Sequence, residues 1–75
     1  MLQELIEIIC EYVEVEPEDI TMDSSLKTDI GATSFDLMNI GTAIEEKYRL
    51  KITGKTFLKI KTVGDMVRFL EEATV

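Results

Sequence analysis

Ser34 stands in the stretch GATSFDLMNIGTAIEEKY, residues 31 to 48, where a glycine-led loop turns into a helix. Three kinds of chemistry would place a serine there: a nucleophile, a helix cap, or an anchor for a group attached by another protein. A serine nucleophile needs a base to take its proton and a further group to orient that base. The chain has no histidine, and the carboxylates nearest in sequence, Asp29 and Asp36, are too weakly basic when exposed to activate an alcohol. GATS also lacks the second glycine and the strand-turn-helix setting of a nucleophile elbow.

Other reactive constellations fare no better. The paired carboxylates Glu45-Glu46 and Glu71-Glu72 fall on helix surfaces, whereas acid-base catalysis needs them converging in a cleft. One cysteine, Cys10, and no histidine cannot assemble an ordinary zinc site. DIGATSFDL offers too few oxygen ligands at the right spacing for a calcium loop. Cys10 is read as a small apolar residue, because no histidine is present to lower its pKa. No catalytic residue and no metal site are therefore expected, and the chain is not read as an enzyme.

The elements that must hold Ser34 are helices. Leu2, Leu5, Ile6, Ile9 and Val13 follow the three-four spacing of one buried stripe, with Tyr12 beside it. That helix should end near Glu14, ahead of the only proline, Pro17. Residues 15 to 33 form a long connection anchored by Ile20, Leu26 and Ile30, with a short helical turn expected around Ser25 to Thr28. The next helix runs from about Ser34 to Tyr48. Thr33 sits where an N-cap belongs, and Asp36 lies three residues on, a near relative of the capping box.

On the second helix Leu37, Ile40, Gly41, Ile44 and Tyr48 gather on the core side. Phe35 and Met38 fall off that stripe and are expected to form a contact surface near Ser34. Leu50 and Ile52 should turn toward the core, followed by a brief helix near Lys55 to Ile60. Thr62 and Asp65 repeat the cap-plus-acid spacing before a last helix whose buried stripe is Val63, Met66, Val67 and Leu70. No strand pair, repeat or low-complexity tract stands out. The fold class is all-α, a small bundle of three main helices and one short one, forming a single domain over residues 1 to 75.

Charge narrows the partners. The net charge of −7 argues against nucleic acid and anionic membrane surfaces. Residues 1 to 46 hold twelve acidic side chains and one basic one, Lys27, while residues 47 to 61 hold six basic ones and no acidic one. The start of the chain has no basic n-region and is broken by glutamates, so it reads as neither a signal peptide nor a membrane span, and a cytoplasmic location is expected. A helix N-terminus stabilises negative charge through free N–H groups and the helix dipole. A phosphate esterified to Ser34 would suit that place, though a plain helix-start serine accounts for the residue as well.

At this point the chain resembles an acyl carrier protein. The resemblance covers almost the whole length: the first amphipathic helix, the acidic loop with EPEDIT, the DIGATS turn, AIEEKY closing the second helix, and IKTVGDMVRFLE as the last. In that family the serine of a Gly-x-Asp-Ser-Leu stretch receives a phosphopantetheine arm from coenzyme A through a separate phosphopantetheinyl transferase. The resemblance therefore implies a four-helix carrier bundle with Ser34 as attachment site, acyl groups held as thioesters, and acyl-loading and acyl-processing enzymes as partners. It also implies Thr33, Phe35, Asp36, Met38, Asn39, Glu45 and Glu46 as partner-recognition positions.

The departures are Thr33 for the usual aspartate, Phe35 for the usual leucine, Asn39 for a common glutamate, and a basic segment after the second helix. They lean toward a specialised system over general fatty-acid synthesis. Polyketide, peptidyl and D-alanyl carriers share the attachment chemistry, and an unmodified interaction module of the same fold is the other class. Gly41, facing the core, leaves room for an acyl chain lined by Leu37, Gly41 and Ile44, or permits closer packing against Tyr12 or another aromatic. A free-standing monomer without membrane insertion is expected.

Overall fold

The computed structural model describes residues 1–74, and four α-helices carry the architecture. Helix α1 spans Leu2–Tyr12, α2 Ser34–Tyr48, α3 Gly54–Lys59 and α4 Val63–Ala73, with a 3-10 turn at Pro17–Asp19. The only β-type pairing among the described residues is an isolated antiparallel bridge between Ser25 and Thr62. The helices enclose one core in a body of 28 × 22 × 19 Å. Leu5, Ile9, Leu26, Ile40, Ile44, Met66, Leu70 and Val63 are its fully buried side chains. Each such side chain contributes about 1.5–3 kcal/mol on leaving water, and in a domain this small that burial must offset the chain entropy without help from disulfides.

The local signals at helix starts act as expected. Thr33 caps α2: the Asp36 N–H donates to Thr33 Oγ1 at 3.1 Å, and the Thr33 N–H donates to Asp36 Oδ2 at 3.0 Å. Thr62 and Asp65 build the same reciprocal box on α4, with both backbone-to-side-chain bonds at 3.1 Å. Asp65 also accepts the Lys61 N–H at 3.1 Å and pairs with Arg68 at 2.6 Å. Backbone donors from Lys61 and Thr62 first, and the Arg68 guanidinium and Thr62 after them, hold its carboxyl below the usual value of 3.8.

A depressed folded-state pKa contributes stability above the unfolded value, and that contribution is lost as pH falls through the folded value. The melting temperature of Asp65→Asn is expected to lie below that of the parent near neutral pH. The gap should close as the solution is acidified well below 3.8. Melting curves of both proteins across that range check this, and a gap that stays constant would contradict it.

Several boundaries differ from expectation, each for a local reason. Helix α1 stops at Tyr12 and not near Glu14, because Val13 is already extended at φ −128°, ψ 136° on the way to Pro17. The turn expected around Ser25 is present as a hydrogen-bonded loop, with the Asp29 N–H donating to the Ser25 carbonyl at 3.1 Å. A 3-10 turn occupies Pro17–Asp19, and proline at its first position sets φ for it. Helix α3 begins at Gly54 and ends at Lys59, one residue earlier than expected at both ends. Ile8 joins the buried stripe of α1, while Leu2 and Val13 at its edges are only half-buried.

Tyr48 is also half-buried, with its hydroxyl enclosed and making no hydrogen bond among the described residues. Burial, and then the neighbouring Glu4 charge, holds the phenol above its ordinary 10.0; Glu4 is close but not in hydrogen-bonding geometry. Cys10 is half-buried, with its thiol directed at the Val15 carbonyl 3.4 Å away. Burial first, then Glu16 and Glu18, pushes that thiol up, as befits a packing residue.

Candidate functional site

Ser34 is the first residue of α2 and is exposed to solvent. The loop before it reaches this position through a left-handed glycine, Gly31 at φ 80°, then a buried Ala32, then the Thr33 cap. Because Thr33 supplies the capping oxygen, the Ser34 hydroxyl takes no part in the helix start, and it makes no hydrogen bond among the described residues. The residues preceding Gly31 are held from far away. The Leu26 N–H donates to the Lys61 carbonyl at 3.0 Å, and the Val63 N–H to the Ser24 carbonyl at 3.0 Å. The Gly64 N–H donates to the Met22 carbonyl at 2.8 Å, so the start of α4 fastens the long loop. Ile20, Leu26 and Ile30 are buried, as the sequence implied.

Beside Ser34 opens a cleft of about 360 Å³. Its apolar wall comes from Leu26, Leu37, Met38, Phe57, Leu58 and Ile60, with Lys27 and Lys61 also at its edge. A second hollow of about 190 Å³ lies further along α2, between Met38, Gly41, Thr42, Glu45, Ile52 and Phe57. Phe57 and Met38 belong to both. Of the three residues nominated for an acyl chain, Leu37 lines the first cleft, Gly41 the second, and Ile44 is sealed in the core.

The aromatic facing Gly41 is Phe57, not Tyr12. A Cβ on residue 41 would meet Phe57 Cε1 at 3.5 Å, an ordinary contact. Gly41→Ala is therefore expected to stabilise the fold by up to about 1 kcal/mol through helix propensity, raising the melting midpoint by roughly 4–8 °C. A lowered midpoint in a thermal melt would show that the helices need the space the methyl would fill.

The other nominated positions divide by exposure. Phe35 and Met38 stand out of the surface at 73% and 66% exposed. Thr33 is exposed but tied into the cap, and Asp36 spends one carboxylate oxygen on the same cap. Glu45 accepts the Ile52 N–H at 2.7 Å, which fastens the segment after α2. Glu46 is exposed, and Asn39 is half-buried. Sequence reasoning does not place Phe57, Leu58, Ile60, Lys61, Lys27 or Leu26 at the Ser34 site. They come from the loop that leads into α2 and from residues 57–61, more than twenty positions on, and the fold gathers them beside Ser34.

Residues 3–70 match the family model described as a phosphopantetheine attachment site. The chain belongs to the acyl carrier protein family. Over 74 residues it is 36% identical to the acyl carrier protein of Clostridium perfringens, covering 99% of this chain and 97% of that one. It is 38% identical over 65 residues to the acyl carrier protein of Wolinella succinogenes, covering 87% and 86% of the two chains. The solved structure of the acyl carrier protein from Enterococcus faecalis superposes with a TM-score of 0.80 at 27% identity, covering 95% of this chain and 90% of that one.

Acyl carrier proteins carry a covalently attached phosphopantetheine, act as carriers and not as enzymes, and interact with synthases and transferases. No ligand-bearing residue needs to be reactive on its own in such a carrier. That accords with a site holding a serine, an apolar cleft and no general base. No helix among the described residues is long and apolar enough to cross a membrane.

Proposed function

We propose that Ser34 is the residue that receives phosphopantetheine and that the chain is a single carrier domain for acyl intermediates. The observation that carries this is an exposed hydroxyl on the first residue of α2, released from capping by Thr33 and opening onto an apolar cleft. A phosphodiester formed there meets the unpaired N–H groups and dipole of a 15-residue helix, which favour negative charge. A phosphopantetheinyl transferase supplies the base and metal that the chain lacks. The Ser34 cleft, with Leu37 in its wall, is the place for the arm or a short acyl group to rest; a longer chain would extend toward Gly41, with the closed core at Ile44 marking its limit.

The pathway favoured is a specialised acyl or polyketide system over general fatty-acid synthesis, because Thr33, Phe35 and Asn39 alter the usual surroundings of the serine. Within it the protein works as a cytoplasmic monomer that presents thioesters to loading and processing enzymes. A tether keeps the intermediate at high effective concentration for each docked enzyme. A peptidyl or D-alanyl cargo would use the same post.

Incubation with coenzyme A and a broad-specificity phosphopantetheinyl transferase tests the proposal. Intact mass should rise by one phosphopantetheine, carried on the peptide that contains Ser34. No gain with several transferases would favour an unmodified interaction module, whose surface would be the exposed Phe35 and Met38.

A further inference from the structure

The chain carries a net charge of −7, yet the cleft that Ser34 opens onto is lined by two lysines and no carboxylate. Lys27 and Lys61 edge the cleft that Ser34 opens onto. Lys55 and Lys59 share one face of α3, next to Leu58, which is 78% exposed. All four lysines are exposed, and none is in an ion pair among the described residues, where the only pairs are the Met1 amine with Glu4 and Arg68 with Asp65. The nearby carboxylates keep their charge, but each is fixed on a backbone N–H. Asp36 accepts the Thr33 N–H, Asp29 accepts the Ser25 N–H at 2.7 Å, and Glu45 accepts the Ile52 N–H.

Between these lysines stand apolar side chains. Met38 and Leu58 both line the cleft and both project into solvent, and Phe35 lies one turn before Met38 on α2. Neighbouring large apolar side chains exposed together mark a contact surface. The charges flanking such a patch set partner choice and encounter rate. We propose that this face docks on partner enzymes whose contact surface is an apolar hollow ringed by aspartate and glutamate side chains. Phe35, Met38 and Leu58 enter the hollow, while Lys27, Lys55, Lys59 and Lys61 meet its rim. This deepens the carrier reading by naming the partner's surface, but its test does not require Ser34 to be modified.

The test titrates the 15N-labelled, unmodified chain with two synthetic amphipathic helical peptides. They share one Leu/Phe face and differ only in its flanks, glutamate in one and lysine in the other. Because the chain is acidic overall, binding is read only at the amides of Met38, Leu58 and Lys61. At those amides the glutamate peptide is expected to bind about tenfold more tightly at low salt, with the ratio shrinking as salt rises.

In Lys55→Glu/Lys59→Glu the preference should reverse, and Leu58→Ser should weaken both peptides. Amide dispersion reports whether each variant is folded, and Lys27→Glu/Lys61→Glu is the second charge pair. The titration uses the unmodified chain and attachment is read by intact mass, so a failure of attachment and a failure of docking are read separately. Equal or tighter binding of the lysine peptide at those amides overturns the proposal. So does the absence of a saturable shift there with either peptide at millimolar concentration.

Discussion

Ser34→Ala is expected to abolish the phosphopantetheine mass gain completely while leaving the thermal midpoint almost unchanged. The two halves of this result come from different features. The cap of α2 belongs to Thr33 and Asp36, and the exposed Ser34 hydroxyl makes no hydrogen bond among the described residues, so it contributes little to the fold. Alanine is also the better helix former, by up to about 0.5 kcal/mol, which opposes any small loss. Attachment, in contrast, needs an oxygen at that position, and the neighbouring Thr33 hydroxyl is committed to the Asp36 N–H. The readouts are intact mass after incubation with coenzyme A and transferase, and a melting curve. A retained mass gain would move the attachment elsewhere; a large fall in the midpoint would make Ser34 a structural residue.

Gly64→Ala should produce the converse, a damaged fold with the attachment chemistry intact in principle. A Cβ on residue 64 would lie 2.8 Å from the Met22 carbonyl oxygen, a backbone atom that cannot swing aside. The same carbonyl accepts the Gly64 N–H at 2.8 Å, so the loop and α4 must separate to admit a methyl group. Steric strain of this kind costs about 1–3 kcal/mol, and the weakened hydrogen bond adds about 1. Better helix propensity returns up to about 1 kcal/mol. A net loss of about 2 kcal/mol corresponds to a fall of roughly 8–16 °C in a domain of this length. Circular dichroism melts decide it, and an unchanged midpoint would mean that the loop is not held against α4.

What could be read from the chain beforehand was whatever depends on near neighbours. The Thr33–Asp36 and Thr62–Asp65 caps are four-residue patterns, and both form. The buried stripes of α2 and α4 follow from helical spacing, and Leu37, Ile40, Gly41, Ile44, Val63, Met66, Val67 and Leu70 are all buried. The contact between Gly64 and Met22 was hidden because it joins residues 42 positions apart through a loop without regular structure. Phe57 was hidden for a similar reason. Its importance lies in facing Gly41 across a helix pair, and nothing in TFLKI records that partner. The exposed Leu58 was passed over as part of a short helix, and its position beside Ser34 appears only once α3 is folded against α2.

The two hollows along α2 share two lining side chains, Met38 and Phe57. Methionine is unbranched and adapts readily to irregular space, and an aromatic ring can turn about its own bonds. The lining that the chambers share is thus hung on torsion angles, while the helices that frame it can stay where they are. Guests of unequal length would be met by swinging a door, with no rebuilding of the house.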